Sequence, residues 1–152
     1  MPRAVLSSGV EICYEAFGSS DQPAVLLIHG LGSQLLLWEE GFCSKLAEEG
    51  LYVIRYDQRD SGLSSTMETE YELSDMASDA AGLLDHLSIR KAHIVGLSLG
   101  GMVAQIFAAE HPDRTSSLTS MASNTGKAGF GMPKGKALEA LLAPAPTDPQ
   151  EQ

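Results

Sequence analysis

The strongest chemical signal in this chain is the pentapeptide Gly96-Leu97-Ser98-Leu99-Gly100. It follows an apolar run at 92–95 and leads into a stretch at 99–110 with helical spacing of apolar residues. A serine on a tight strand-to-helix turn exposes its hydroxyl beside backbone N–H groups, which favour a developing negative charge. Gly96 and Gly100 remove side chains that would collide across that turn. The pattern predicts Ser98 as a nucleophile, with a helix-capping serine on a glycine-rich turn as the alternative.

A second loop has the composition to assist Ser98. His29-Gly30-Leu31-Gly32 follows the apolar run Ala24–Ile28. Such a loop can carry a backbone N–H over the cleft of the nucleophile, so we predict that the amides of Leu31 and Leu99 form a two-donor oxyanion hole. His29 is interpreted as a structural residue that braces the loop rather than as a catalytic base.

The elements that would position these residues alternate along the chain. Apolar alternation at 3–6 and 10–16, separated by Ser7-Ser8-Gly9, predicts an antiparallel hairpin. Further strands are predicted at 24–28, 51–56, 92–96 and 116–121, and helices at 39–49, 74–87 and 101–110. Strands separated by helices predict an α/β fold, a mostly parallel sheet covered on both faces, with functional groups at the carboxyl ends of the strands.

Composition narrows the function classes. The 152 residues, 43% hydrophobic, suffice for one core, hence a single domain or part of one. A net charge of −10 without a cluster of basic residues argues against nucleic acid or an anionic membrane as partner. No segment is typical of a signal peptide or a membrane span. Cys13 and Cys43 have no metal-ligand spacing, so we predict no metal site, free thiols and a cytoplasmic location.

The stretches 53–62 and 92–98 are most similar to the aclacinomycin methylesterase-like esterases of the α/β-hydrolase superfamily, and four segments together resemble the superfamily as a whole. They are His29-Gly30-Leu31-Gly32, Trp38, the stretch at 57–64 and the stretch at 96–101. The resemblance implies an eight-stranded sheet with a cap, a serine nucleophile, a backbone oxyanion hole, carboxylic-ester substrates and no cofactor. Trp38 and Leu63 are further candidates for the substrate pocket.

The segment at 57–64 that contributes to this resemblance contains three charged residues. Asp57, Arg59 and Asp60 follow the fourth predicted strand. We interpret them as residues that fix loops through ion pairs and turns, not as catalytic groups.

The partners that a catalytic serine needs are missing from the expected places. In this fold the acid and the histidine follow the nucleophile in the chain. His86 and His93 precede Ser98, and His111 lies at the far end of the following helix. The position after the sixth strand, where some relatives carry the acid, holds Ser123-Asn124.

We therefore expect a C-terminally truncated fold, with 1–125 as the N-terminal part of the core and 126–152 as a hinge and the beginning of a cap. A cap helix is predicted at 136–142, and Asp148-Pro149 is typical of the start of another helix. A disordered tail on a naturally short protein is the alternative.

The prediction is a serine hydrolase that acts on a small-molecule carboxylic ester, with the isolated chain inactive. A cofactor-free haloperoxidase or lactonase, an aminopeptidase, and a noncatalytic ligand-binding module remain alternatives.

Overall fold

A computed structural model describes residues 1–127, 131 and 133–143. Its strands are β1 Arg3–Val5, β2 Glu11–Phe17, β3 Ala24–Ile28, β4 Tyr52–Tyr56, β5 Ala92–Leu97 and β6 Thr115–Met121. Its α-helices are α1 Glu40–Glu48, α2 Leu73–His86, α3 Leu99–Glu110 and α4 Lys136–Leu142, with 3-10 turns at Leu35–Leu37 and Pro112–Arg114. The helix start predicted at Asp148 and Pro149 lies outside the described residues.

The six described strands form one sheet in the order β1-β2-β4-β3-β5-β6. β1 and β2 form the predicted antiparallel hairpin, and β2 also runs antiparallel to β4. β4, β3, β5 and β6 are mutually parallel where they pair. The predicted α/β fold with a mostly parallel sheet is confirmed. The parallel order places the ends of β3, β4, β5 and β6 along one edge of the sheet.

Helices cover both faces of this sheet, and β3 shows why its sequence is continuously apolar. All five of its residues are buried. Leu26 and Ile28 belong to a core shared with α2 and α3, whereas Val25 and Leu27 pack with Cys43 of α1 in a second core. A strand buried on both faces has no polar side to alternate with.

The helices end close to where the sequence places them. α3 ends at Glu110, before His111-Pro112, since the residue preceding a proline is pushed out of helical geometry. α4 occupies the predicted 136–142. Among the helices of the described ranges, none has the length and apolar character needed to cross a bilayer.

Candidate active site

Ser98 lies on the turn between β5 and α3 with φ 55° and ψ −118°, a left-handed region that is unusual for a residue other than glycine. The turn is held from both sides. The Ser98 N–H donates to the carbonyl of Met121 at 2.9 Å, and the Ser98 carbonyl accepts from the N–H of Gly101 at 2.9 Å. Strain of this kind persists only where the surroundings fix it, and it is common at functional sites. The side chain of Ser98 is exposed.

The glycines around Ser98 are required by close backbone approach. A Cβ on Gly96 would lie 2.1 Å from the carbonyl oxygen of Gly100, which is the collision across the turn that the motif predicts. A Cβ on Gly100 would lie 2.3 Å from the carbonyl oxygen of Ile28 and 2.4 Å from that of His29. Gly100 therefore does more than relieve the turn, because it lets the first turn of α3 pack on the end of β3.

The loop after β3 contacts the serine directly. A Cβ on Gly30 would lie 3.3 Å from Ser98 Cβ and 3.9 Å from Ser98 Oγ. The N–H groups of Leu31 and Leu99 donate no hydrogen bond to another described residue. Leu99 is the first residue of α3, where helical N–H groups have no partner inside the helix. Two backbone donors, on residues that line one cavity with the serine, are thus available to a ligand.

His29 is committed to bracing this loop. It is 1% exposed, its Nδ1 contacts the carbonyl oxygen of Gly30 at 2.8 Å, and its Nε2 accepts the backbone N–H of Gln58 at 3.2 Å. Both contacts are satisfied by the neutral ring with its proton on Nδ1. Burial lowers the pKa of His29, and the Gly30 carbonyl opposes this only in part. The structural role predicted for His29 is confirmed.

Asp57 ties the loop after β3 to the loop after β4. It is 1% exposed, and its Oδ1 accepts the backbone N–H of Leu35 at 2.7 Å while its Oδ2 accepts that of Leu63 at 2.9 Å. The predicted loop-fixing role holds, but the means are two backbone amides and not an ion pair. Charge-assisted bonds of this kind are stronger than neutral ones, so the carboxylate sets the spacing of both loops.

Arg59 and Asp60 fix the same region in the predicted way. Arg59 pairs with Asp79 through Nε at 2.6 Å and Nη2 at 2.8 Å, and its guanidinium packs over the ring of Tyr71 at 4.9 Å. The hydrogen bonds to Asp79 raise the pKa of Arg59 against the effect of burial. Asp60 accepts the backbone N–H of Met67 at 2.7 Å.

Two cavities open at this edge of the sheet. The first, which we name the Ser98 cavity, has a volume of about 510 Å³ and is lined by Leu31, Ser98, Leu99, Met102, Ala122, Ser123, Asn124, Gly126, Gly131 and Pro133. The second, the Arg59 cavity, has a volume of about 550 Å³ and is lined by the loops after β3 and β4 together with Tyr71, Met76 and Leu99. Leu31 and Leu99 line both, so the cavities meet at the two free backbone donors.

Trp38 and Leu63 are not brought to either cavity. Trp38 is 7% exposed, belongs to the core beneath α1 and stacks on Phe42 with 5.8 Å between ring centroids. Leu63 is exposed at the surface, and only its backbone N–H is engaged, by Asp57. Sequence reasoning missed Met102, Ala122 and Ser123. The signal for the last two was the end of a parallel strand, β6, at the same sheet edge as Ser98.

No histidine of the chain lines the Ser98 cavity, and all four lie within the described residues. His93 contacts Ser117 Oγ at 2.7 Å, His86 packs edge-on against Tyr14, and His111 packs against Phe107. No carboxylate lines the Ser98 cavity either, as far as the described residues extend. This part of the chain thus brings together a serine and two donors, without a base or an acid beside them.

Comparison with known proteins places these features in a family. Residues 23–150 match the family model for the alpha/beta hydrolase fold. Rhodomycin D methylesterase of a Streptomyces species is 36% identical over 122 residues, which are 78% of this chain and 41% of that protein. 3-Oxoadipate enol-lactonase 2 of Acinetobacter baylyi is 35% identical over 69% of this chain and 39% of its own length.

Comparison with solved structures gives the same fold. The enol-lactonase from Burkholderia xenovorans is similar with a TM-score of 0.75 and 31% identity, over 80% of this chain and 46% of that one. The predicted resemblance is confirmed by these matches. The chain spans less than half the length of each of these relatives.

Proposed function

Because the chain belongs to the α/β-hydrolase fold family, we propose that it is a serine hydrolase that cleaves a small-molecule carboxylic ester through an acyl-enzyme on Ser98. The observation that carries the proposal is the strained Ser98 turn in contact with the Gly30 loop. A methylesterase and an enol-lactonase among the relatives support an ester or a lactone as the substrate.

In the proposed reaction, Ser98 Oγ attacks the ester carbonyl carbon and loses its proton. The carbonyl π electrons move to the oxygen, and the N–H groups of Leu31 and Leu99 hold the resulting oxyanion. Collapse of this intermediate breaks the bond to the alcohol, which leaves with a proton, and water then releases the acid from Ser98 in the reverse sense. A histidine and an acid carried outside the described residues would move the protons.

We also propose a domain organisation for the chain. Residues 1–125 would form the N-terminal part of the hydrolase core, and 126–152 would be a hinge and the beginning of a cap. The longer relatives support a core that continues beyond the six described strands.

The test is covalent labelling of the full-length protein with a serine-directed fluorophosphonate. Wild type should be labelled and Ser98→Ala should not, because Ser98 lies on the strained turn and lines the same cavity as Leu31 and Leu99, which carry the two donors. Ser123→Ala is the matched control, since Ser123 lines the same cavity but its hydroxyl oxygen is buried. Labelling that persists in Ser98→Ala, or that disappears in Ser123→Ala alone, would contradict the assignment.

A lactonase is the second candidate, supported by the two enol-lactonases among the similar proteins. Aminoacyl amides are less favoured, because no carboxylate among the described residues lines the Ser98 cavity to hold a substrate ammonium. In a panel of aryl and methyl esters, lactones and aminoacyl amides, we expect the first three classes to have the higher kcat/KM. Faster turnover of the amides would favour an aminopeptidase, and tight binding without turnover would favour a noncatalytic module.

A further inference from the structure

The Arg59 cavity has no role in the reaction steps above, although it opens beside them. It meets the Ser98 cavity at Leu31 and Leu99, the residues whose N–H groups are the proposed oxyanion donors. An ester carbonyl held by those donors has two substituents, the acyl group and the alkoxy group, and they point away from each other. With one substituent in the Ser98 cavity, the adjoining Arg59 cavity offers a space for the other.

The two cavities differ in chemistry. Met102, Ala122 and Pro133 give the Ser98 cavity much of its wall. The Arg59 cavity has instead the polar side chains of Gln34, Ser61 and Tyr71, besides Arg59 and Asp60. Sites that bind small molecules combine apolar walls with a few well-placed polar groups, which set orientation and specificity.

Arg59 is held as a rigid donor at this cavity. Its side chain is 8% exposed, Asp79 engages Nε and Nη2, and Tyr71 packs against the guanidinium plane. Its Nη1 donates to no described residue, although Arg59 lines the cavity. The carboxylate of Asp79 offsets the positive charge of Arg59, and Asp60 adds a second carboxylate to the lining, so the cavity favours an uncharged acceptor over an anion.

We propose that the Arg59 cavity is a second substrate subsite, which binds an uncharged, oxygen-bearing half of the ester through a hydrogen bond from Arg59 Nη1 to a carbonyl, ether or hydroxyl oxygen. The apolar half of the same substrate occupies the Ser98 cavity. This inference rests on the proposed esterase function, and it narrows the substrate class to esters with one polar and one apolar side.

The experiment uses the full-length protein and isosteric pairs of esters. One pair joins phenylacetic acid to tetrahydropyran-4-ylmethanol or to cyclohexylmethanol, which differ only in an ether oxygen. The other pair places the same two rings in the acyl half of a benzyl ester. Wild type should prefer the ether in at least one pair by about tenfold in kcat/KM, the size of one hydrogen bond to a charged donor.

Two variants test the cavity itself. Arg59→Lys keeps the charge but changes the donor, and it should remove the ether preference. Ser61→Phe fills the cavity, and its KM increase should be at least about tenfold larger for the ring-bearing ester than for methyl phenylacetate. Ser78→Phe, an exposed serine on α2 away from both cavities, is the control and should change neither ratio.

The outcomes separate the subsite from the esterase proposal. Turnover of methyl phenylacetate with no ether preference in either pair, and an unselective Ser61→Phe, would overturn the subsite while the esterase proposal stands. Failure to cleave any ester would overturn the esterase proposal. The subsite would then be judged by amide NMR shifts of Ser98→Ala with the tetrahydropyranyl ester. Shifts at Gly62 and not at the exposed β1 residue Val5 would support it, and their absence would refute it.

Discussion

Asp57→Asn is the most informative change at this site that leaves Ser98 untouched. The carboxylate accepts one N–H from each of two loops, that of Leu35 at 2.7 Å and that of Leu63 at 2.9 Å. Asparagine has almost the same shape but offers one oxygen and one NH₂ group. One backbone amide must then face another donor.

The structure indicates which of the two bonds is lost. Leu35 is 1% exposed, whereas Leu63 is 54% exposed, so the asparagine oxygen should turn to the Leu35 amide and leave Leu63 to water. Loss of charge assistance at Leu35 costs about 1 kcal/mol, and an N–H that is only partly solvated at Leu63 costs about 1–2 kcal/mol. We expect Asp57→Asn to lower the free energy of unfolding by about 2–3 kcal/mol.

Urea unfolding measures that loss, and amide hydrogen exchange locates it. The Leu63 amide should lose more protection than the Leu35 amide. In the full-length protein kcat should fall more than KM rises, because the bond that holds the loop of the Leu31 donor, at Leu35, loses its charge assistance. Asp60→Asn is the control in the same loop. Its Oδ1 accepts the exposed N–H of Met67, which the amide oxygen of asparagine can keep, and a hydrogen bond also links Asp60 to the Tyr71 side chain, so we expect a cost of about 1 kcal/mol, below that of Asp57→Asn.

Equal stability of the Asp57→Asn and Asp60→Asn variants would refute this reasoning. So would unchanged protection at both Leu35 and Leu63, since the bonds to the carboxylate would then not hold the loops. A larger loss of amide protection at Leu35 than at Leu63 would show that solvent access does not decide which amide the asparagine oxygen accepts.

Two further predictions concern the same loops. In urea unfolding, Gly62→Ala should lower the free energy of unfolding by at least about 2 kcal/mol more than Gly32→Ala. Both glycines have positive φ, but a Cβ on Gly62 would lie 2.1 Å from Asp57 Oδ2, whereas a Cβ on Gly32 would meet open space. Equal losses in the two variants would contradict the close approach at Gly62. Since burial lowers the pKa of His29 from 6.5, the unfolded chain takes up its proton first, so stability should fall as pH drops below about 6.5, by up to about 1.4 kcal/mol per pH unit. Between pH 7 and pH 5, the His29→Asn variant should lose this dependence of stability on pH, and the control His86→Asn, at an exposed histidine, should keep it. Equal dependence in His29→Asn and wild type would exclude His29 as the cause.

How far the sequence predicts this fold depends on how local the determining interactions are. β3 could be assigned because both of its faces are buried, so five successive apolar residues have one explanation. The Ser98 turn could be assigned because the steric reason for Gly96 lies within the motif, at the carbonyl oxygen of Gly100. The observed helix ends differ from the predicted ones by about one or two residues. For example, α1 spans Glu40–Glu48, whereas the sequence predicts 39–49.

The pocket could not be predicted in the same way, because side-chain direction in a loop depends on the path of the backbone. Trp38 lies only a few residues after the oxyanion loop, yet the 3-10 turn Leu35–Leu37 carries it into the core beneath α1. Met102 lines the Ser98 cavity because the first turn of α3 rises from the serine itself. The Asp57 bonds were equally hidden, because their partners are backbone amides, which no residue type reveals.

The described residues carry only part of the proposed chemistry. The described residues supply a strained serine, two free backbone donors and a loop system held by His29 and Asp57. In the proposed reaction the serine is the nucleophile, the two N–H groups stabilise the oxyanion, and His29 and Asp57 fix the geometry of the loops, so none of these groups would accept the proton of the serine. Proton transfer would have to reach Ser98 from the side of the Ser98 cavity, because His29 has both ring nitrogens engaged beneath the Gly30 loop. That direction is consistent with the subsite proposal, since it leaves the Arg59 cavity open to the substrate.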